Sequence, residues 1–313
     1  MRTSTASLGS IIPPLREDRA SRAFVRVTGA LPARWEVKLE LSDVITGIHD
    51  LPSLPVVVLQ LMQNLNDKDA HYIAHKIEQD QALTTKILRL ANSAFYGMQR
   101  QVMSIRQAIS ILGLDSVRVL VMAAVVTEKF TGSAGSSLDF TVFWRHSIGT
   151  ALCARALGAR LSVNPDQAFI GGLLHDIGRL VLAAHAAPAY EEVIIYRKEN
   201  DCYLFEAERA VLGLDHMLVG RAMMEHWNFP SLILDAVEHH HSPEKCSASG
   251  LVAIVNLADC IAHGLDFCGN EEDLVPPVAP AAWNKIQLNE DLLIHLFSEV
   301  DQQFEEVCAI LFS

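Results

Sequence analysis

Hydrophobic residues recur every three to four positions over most of the chain from Ser42 onward, which is the spacing of amphipathic α-helices. Pro55 is suited to the first turn of one helix, Asp80 to the cap of a later one, and Ser104 begins a capping box. Short, capped helices joined by short turns pack as compact bundles. We therefore predict a helical bundle over residues 43–130.

A segment rich in Gly and Ser, residues 131–137, interrupts this pattern and is typical of a linker. Helical patterning resumes near Phe143 and continues to His263. An amphipathic pattern returns over residues 291–312, and we expect this last helix to pack back on the preceding ones. The pattern predicts a second helical bundle, with carboxy-terminal helices, over residues 138–313.

The amino-terminal segment has a different pattern. Residues 1–22 show no periodicity, which is typical of a mobile tail. Residues 35–41 alternate between apolar and polar side chains, as a strand does, and residues 24–28 can pair with them. The fold class predicted for the whole chain is all-α. It comprises two helical bundles, preceded in residues 1–42 by a tail with a candidate short β-hairpin.

The first candidate functional residues are His175 and Asp176, which are adjacent in an otherwise apolar run over residues 170–181. Burying an imidazole and a carboxylate without partners costs several kcal/mol. Either hydrogen bonds to the protein or a bound cation can offset that cost, and divalent metals accept this nitrogen-and-oxygen pairing. The doublet by itself leaves both explanations open.

Further candidate ligands flank the doublet along the chain. His146 lies upstream, and His216, the run His239–His241 and Asp259 follow. An unpaired carboxylate among the apolar neighbours of Asp259 is costly, so a partner is expected there. Each histidine also has a plain structural explanation: a core edge, a helix start, or a polar helix end that suits the carboxy-terminal dipole.

The order of these residues, His, His-Asp, His, His-His and Asp, resembles the HD superfamily of metal-dependent phosphohydrolases. The resemblance implies one or two divalent ions and catalytic roles for Asp176 and Arg179. The residue types suit several transition metals, namely iron, manganese, nickel and zinc. The implied ligands are His146, His175 and Asp259 for one ion, His216, His240 and His241 for the other, and Asp176 as a bridge.

Two departures from that superfamily bear on the chemistry. Arg179 stands where catalytic members usually carry Lys, and it keeps the positive charge but changes the reach and the hydrogen-bond geometry. Its guanidinium can bind a phosphate, or it can be an ordinary surface charge. After His241 the chain continues with Ser242, Pro243 and Glu244, and it lacks the Gly-Tyr-Pro signature of one branch. Hydrolysis of cyclic di-GMP in particular is therefore not implied.

A second resemblance covers roughly residues 43–245. The segments Glu78–Asp80, Arg89–Gly97 and Ala108–Leu114 closely resemble the HDOD family of bacterial signalling domains. The implied function is regulatory: signal transduction through binding of a partner protein or a nucleotide, on an HD-like helical scaffold with a metal site. The alternative is a metal-dependent phosphohydrolase, either a phosphodiesterase or a phosphomonoesterase acting on a nucleotide. The sequence leaves enzyme activity open.

The signalling hypothesis also predicts a surface. Asn92, Ser93 and Gly97 stop a helix, and Phe95 and Tyr96 supply aromatic side chains beside that stop. A scaffold would present these rings to a partner protein. An enzyme would instead use the amino-terminal bundle as a cover for its metal cleft.

The composition limits which binding partners and which cellular compartment we expect. The formal net charge of -12 argues against broad attraction to nucleic acid or to an anionic membrane. The longest uninterrupted apolar run, Val119 to Val126, is too short to span a bilayer. The 6 cysteines include no Cys-x-x-Cys pair and are typical of reduced thiols. We expect a cytoplasmic protein that binds a signalling partner or a nucleotide, but neither nucleic acid nor membrane.

Overall fold

The computed structural model describes residues 38–48, 70–98, 100–130, 138–246, 249–269 and 274–313. Among these residues there are helices and no strand, which confirms the all-α prediction, and none of the helices is long and apolar enough to cross a bilayer. The helix predicted from Pro55 onward and the linker lie outside the described residues. The helices before the linker are α1 (Leu41–Ile48), α2 (Ala70–Glu78), α3 (Gln81–Asn92), α4 (Ile105–Leu112) and α5 (Leu114–Lys129).

The second helical region begins with a long helix, α6. Its helices are α6 (Phe140–Arg160), α7 (Pro165–Leu174), α8 (Ile177–His185), α9 (Ala187–Asn200), α10 (Leu204–Leu212), α11 (His216–His226), α12 (Ser231–His239), α13 (Gly250–Gly264), α14 (Pro280–Ile286) and α15 (Glu290–Leu311). Helices α6, α7 and α13 pack together, and α15 packs on α6 as predicted. Helix α15 also contacts α3 and α5, so it spans both helical regions.

One apolar core runs through both helical regions. Helix α5 is buried along most of its length. Trp144 on α6 donates from Nε1 to the carbonyl oxygen of Phe130 at 3.0 Å. Lys86 on α3 donates to the carbonyl oxygen of Leu311, at the end of α15. The predicted division into two bundles stays a prediction.

Most of the candidate hairpin lies outside the described residues. Residues 38–40 have no regular structure and α1 begins at Leu41. The strand predicted over residues 35–41 is therefore wrong at its carboxy-terminal end. Leu41 and Val44 have helical spacing, and Val44 is buried. Because α1 packs against α8 and α11, tertiary burial decides between two local patterns that the short segment supports equally.

Two helix caps are the ones that the sequence predicts. Asp80 caps α3 and Ser104 caps α4 through their side-chain oxygens, as predicted. The cap of α7 is Asn164, whose side chain accepts two backbone N–H bonds. Asp166 accepts a hydrogen bond from the hydroxyl of Ser116 on α5 at 2.6 Å. It therefore connects the two helical regions.

Phe95 does not form the exposed surface that the signalling hypothesis predicts. It is only 5% exposed, and its ring centroid lies 5.2 Å from that of Phe169 on α7. The guanidinium of Arg155 lies 4.1 Å from the same ring and donates to the carbonyl oxygen of Phe95 at 3.0 Å. The prediction is wrong because the local sequence around an aromatic residue at a helix end does not distinguish packing on its own chain from packing on a partner.

Candidate metal centre

The residues implied as ligands lie in one cluster inside the second helical region. They come from α6, the junction of α7 and α8, the start of α11, the end of α12 and α13. All are buried except His241, which is partly buried. The residues brought together are His146, His175, Asp176, His216, His240, His241 and Asp259. Their roles as metal ligands stay predictions.

His175 and Asp176 lie at a break between two helices and not within one helix. Helix α7 ends at Leu174 and α8 begins at Ile177. Asp176, with φ -98° and ψ 9°, is the residue at which the helix is interrupted. The sequence predicts a continuous helix here because the apolar run conceals the break. The break lets two consecutive side chains contact the same cluster.

Two glycines beside His175 and Asp176 let the backbones of neighbouring helices come into direct contact. A Cβ on Gly172 would lie 2.8 Å from the carbonyl oxygen of Thr150 on α6. A Cβ on Gly178 would lie 2.0 Å from the carbonyl oxygen of His216 on α11. Any side chain at these positions would push the neighbouring helix away. The glycines therefore set the distance from the doublet to His146 and His216.

Asp259 is the centre of one group of imidazoles. Its Oδ1 atom lies 3.0 Å from Nε2 of His146 and 3.6 Å from Nε2 of His175. The Nε2 atoms of His146 and His175 are 3.3 Å apart. The Oδ2 atom of Asp259 lies 3.8 Å from Nδ1 of His241. Both carboxylate oxygens thus face imidazole nitrogens.

Asp176 is the centre of the other group. Its Oδ1 atom lies 3.2 Å from Nε2 of His216, and 3.6 Å from Nε2 of both His240 and His175. Its Oδ2 atom accepts a hydrogen bond from Nη1 of Arg179 at 2.7 Å. Because His175 faces both carboxylates, Asp176 lies between the two groups of histidines.

The second nitrogen of three imidazoles is fixed by an oxygen atom. Nδ1 of His175 lies 2.7 Å, and Nδ1 of His240 lies 2.8 Å, from a backbone carbonyl oxygen. Nδ1 of His216 lies 2.6 Å from Oε2 of Glu208. These oxygens only accept hydrogen bonds, so each Nδ1 carries the hydrogen. In the neutral ring, the lone pair of Nε2 then faces the cluster.

Several buried atoms at the centre of the cluster have polar neighbours but make no well-aligned hydrogen bond within the protein. They include Nε2 of His216, Nε2 of His240 and both carboxylate oxygens of Asp259. Lone pairs that face one another in a buried space repel, and a cation between them removes that cost. Imidazoles with one nitrogen held by an oxygen and the other facing inward are typical of metal ligands. The residues present therefore fit a divalent metal.

The pKa shifts differ among the histidines of the cluster. Burial lowers the pKa of His240 and of His241, so both imidazoles stay neutral and able to bind a cation. Burial opposes protonation of His216 as well, but Glu208 and Asp176 outweigh it and raise the pKa of His216 to about 10. A metal ion takes the place of that proton when it binds.

Glu208 orients His216 from the side away from the cluster. It is fully buried, and its Oε2 atom accepts hydrogen bonds from Nδ1 of His216 at 2.6 Å and from the backbone N–H of His216 at 2.9 Å. Its Oε1 atom accepts a longer hydrogen bond from the hydroxyl of Tyr190, at 3.4 Å. A buried carboxylate that holds a histidine in this way fixes the tautomer and the orientation of the ring.

The Glu208→Gln variant is expected to bind metal about 10–100-fold more weakly, because a neutral amide oxygen holds the Nδ1–H of His216 less firmly than a carboxylate does. Calorimetric titration of the metal-free protein with Mn²⁺ measures the change. Glu191→Gln, at an exposed position on α9, is the control. Equal affinities in the two variants would contradict the orienting role.

Sequence reasoning missed Glu208 and His263. His263 lies four residues after Asp259 on the same face of α13, and its Nε2 atom is 3.4 Å from Oδ1 of Asp259. That spacing is a signal that could have identified it. Glu208 lies on the buried face of α10 beside Ala207 and Val211. An acid on the apolar face of a predicted helix is the corresponding signal.

A pocket leads to the cluster. Its empty volume, part of which is open to solvent, is about 420 Å³. The rings of Tyr203 and Phe205 are nearly parallel, with an interplanar angle of 3° and centroids 5.8 Å apart. Outside the cluster the pocket is lined by Arg179, Arg197, Tyr203, Leu204, Phe205, His263, Leu274 and Pro276.

The model of the HDOD domain family matches residues 51–243, which is more than half of the chain. The chain belongs to the HDOD domain family. The resemblance seen in the sequence is thereby confirmed. The HDOD match includes every candidate ligand except Asp259, which follows it.

Relatives of this HDOD protein span most of its length. It is 28% identical over 281 residues to an uncharacterised protein of Treponema pallidum (strain Nichols), covering 80% of this chain and 50% of that protein. It is 25% identical over 249 residues to ribonuclease Y of Fervidobacterium nodosum, covering 79% of this chain and 39% of that protein. This HDOD chain therefore spans half or less of the length of these curated relatives.

A solved structure has a similar fold. The crystal structure of an HDOD domain protein with unknown function from Geobacter sulfurreducens superposes with a TM-score of 0.68 at 26% identity. The superposition covers 87% of this chain and 98% of that one. The helical arrangement around the cluster is therefore that of the HDOD fold.

Proposed function

We propose that this HDOD protein is a metal-dependent phosphohydrolase with a two-ion centre that acts on phosphate esters of nucleotides. The observation that supports it most is the complete set of histidine and carboxylate ligands, several of whose inward-facing atoms have no other partner. Without a cation such atoms cost stability, so a centre that no longer binds metal would be expected to lose some of them. The sequence alone favours signal transduction. We now favour hydrolysis because the cluster of histidines and carboxylates is complete.

Two groups of side chains would hold the ions. Imidazole and carboxylate ligands of this kind suit iron, manganese, nickel and zinc. When bound, such ions supply Lewis acidity, which activates water and neutralises charge on a phosphate. His146, His175 and Asp259 would hold one ion and His216, His240 and His241 the other, and Asp176 lies between the two groups.

The contribution of the pocket is to bind and orient the substrate. Arg179 and Arg197 line it, and a planar guanidinium can bind two oxygens of a phosphate at once. The near-parallel rings of Tyr203 and Phe205 supply an aromatic wall on which a nucleobase can stack. Cationic and aromatic side chains beside a metal centre suit a nucleotide phosphoester.

A regulatory role is the second candidate, and the contact between Arg179 and Asp176 favours it. Arg179 donates to Oδ2 of Asp176 at 2.7 Å, so one oxygen of the carboxylate between the proposed ions is already engaged. A centre held in this state would bind a nucleotide, or a partner protein of a signalling pathway, without hydrolysis. The missing Gly-Tyr-Pro signature after His241 is consistent with that role.

A hydrolysis assay separates the two candidates. Protein stripped of metal with a chelator and reloaded with Mn²⁺, Fe²⁺, Ni²⁺ or Zn²⁺ is incubated with nitrophenyl phosphomonoesters and phosphodiesters, nucleotides and a short RNA. The RNA is included because of the similarity to ribonuclease Y. Hydrolase activity would disappear on chelation and return on reloading. Binding of a nucleotide to the metal-loaded protein without hydrolysis would favour the regulatory role.

A further inference from the structure

A histidine outside the HD-type ligand set, His263, contacts the cluster. It lies on α13 one turn after Asp259, and its Nε2 atom is 3.4 Å from Oδ1 of that carboxylate. Its ring centroid lies 4.2 Å from that of His146, with an angle of 38° between the rings. Ligand atoms of His146, Asp259 and His263 all lie within 4.8 Å of one another, which is close enough for a shared cation.

The Oδ1 atom of Asp259 is the point that these imidazoles share. It lies 3.0 Å from Nε2 of His146, 3.4 Å from Nε2 of His263 and 3.6 Å from Nε2 of His175. This oxygen is buried and makes no well-aligned hydrogen bond to any of them. Three imidazole nitrogens around one carboxylate oxygen form the kind of nitrogen-and-oxygen set that binds a transition metal.

We propose that His263 is a further ligand of the ion held by His146, His175 and Asp259. Because ligation requires a bound metal, this inference rests on the proposed function. Asp259 and His263, four residues apart on one helix, would then act as a rigid pair of ligands on α13. The centre would have one more protein ligand than the motif order in the sequence implies.

The position of His263 gives this ligand a distinct consequence. His263 lines the pocket, whereas His146 and His175 do not. Among the imidazoles of this ion, it is therefore the one on the substrate side. Catalytic metal sites keep a coordination position open, and structural sites do not. A ligand on the substrate side decides how open this ion is to water or to a phosphate oxygen.

A purely structural role for His263 makes a different prediction. His263 precedes Gly264, the last residue of α13, and a protonated histidine there stabilises the carboxy-terminal end of a helix. Removing such a residue lowers the stability of the metal-free protein and leaves metal binding unchanged. Removing a ligand changes the rate of metal release. Metal release therefore distinguishes the two roles.

The experiment measures zinc release from the full chain. Wild type, His263→Ala and His263→Gln are loaded with Zn²⁺, freed of excess metal, and mixed with a chromogenic chelator. We expect both variants to release one bound ion at least about 10-fold faster than wild type. Gln keeps much of the side-chain volume, so it tests the role even if the Ala variant does not fold. Circular dichroism of each metal-free protein checks folding.

The matched control is His239→Ala. His239 precedes His240 and His241, but its Nε2 atom lies 3.6 Å from Oε2 of Glu238, outside the cluster. It should release zinc at the wild-type rate. Wild-type release from folded His263 variants would overturn the ligand role and leave the two-ion centre intact. A wild-type protein that binds no zinc at all would overturn both the ligand role and the proposed function.

Discussion

The Asp176→Asn variant is expected to lose metal-dependent phosphoester hydrolysis by at least about 100-fold, the lower end of the loss that follows removal of one preorganised electrostatic group from an active site. Asp176 is the carboxylate between the two groups of histidines, and His175, His216 and His240 all lie within 3.6 Å of its Oδ1 atom. An amide at this position has no charge to hold two cations together. Hydrolysis rates of the reloaded wild type and variant measure the effect.

The control for that variant is Asp201→Asn. Asp201 is exposed and adopts a left-handed backbone conformation with φ 47°, which Asn also tolerates. It should keep full activity. We expect Asp176→Asn to fold, because the amide oxygen of Asn can still accept the hydrogen bond from Arg179. A thermal melt checks this. A folded Asp176→Asn variant with wild-type hydrolysis would exclude a two-ion mechanism through this carboxylate.

The Phe95→Ala variant is expected to unfold more easily than wild type by about 3–5 kcal/mol. Phe95 is buried against Phe169, and its ring also contacts the guanidinium of Arg155. Truncation to Ala leaves a cavity between the two helical regions and removes a cation–π contact. Urea denaturation followed by circular dichroism measures the free energy of unfolding.

Met103→Ala is the matched control, since Met103 is 68% exposed and its truncation removes little buried surface. Its free energy of unfolding should stay within about 0.5 kcal/mol of wild type. Equal stabilities of the Phe95 and Met103 variants would contradict the packing described for Phe95. Loss of partner binding in Phe95→Ala, by contrast, would reflect unfolding unless the variant is first shown to be folded.

The helical fold and the members of the histidine and aspartate cluster could be predicted because each leaves a local pattern in the sequence. The order of histidines and aspartates from His146 to Asp259 can be recognised as a motif in the sequence, although these residues contact one another only in the folded chain. Asp80 and Ser104 act through bonds within three residues, so their caps could also be predicted. These features depend on short-range spacing or on a pattern of residue types.

The remaining features depend on tertiary contacts that no local pattern records. The interruption at Asp176 lies two residues before Gly178, which approaches the backbone of His216 closely, and the sequence does not pair the helices that meet there. Glu208 contacts His216 only because α10 places it behind that imidazole. Phe95 is buried for the same kind of reason, since Arg155 and Phe169 come from the other helical region.

Elemental analysis of the metal-loaded protein tests the existence of the centre most directly. Wild type, His175→Ala and His185→Ala are incubated with Mn²⁺ or Zn²⁺ at neutral pH, separated from free metal by gel filtration, and analysed for metal per chain. His175 contacts both carboxylates of the cluster, whereas His185 is exposed at the end of α8. We expect stoichiometric metal, up to two ions per chain, in wild type and His185→Ala, and a clear loss in His175→Ala. A folded wild-type protein that retains no metal would contradict the account.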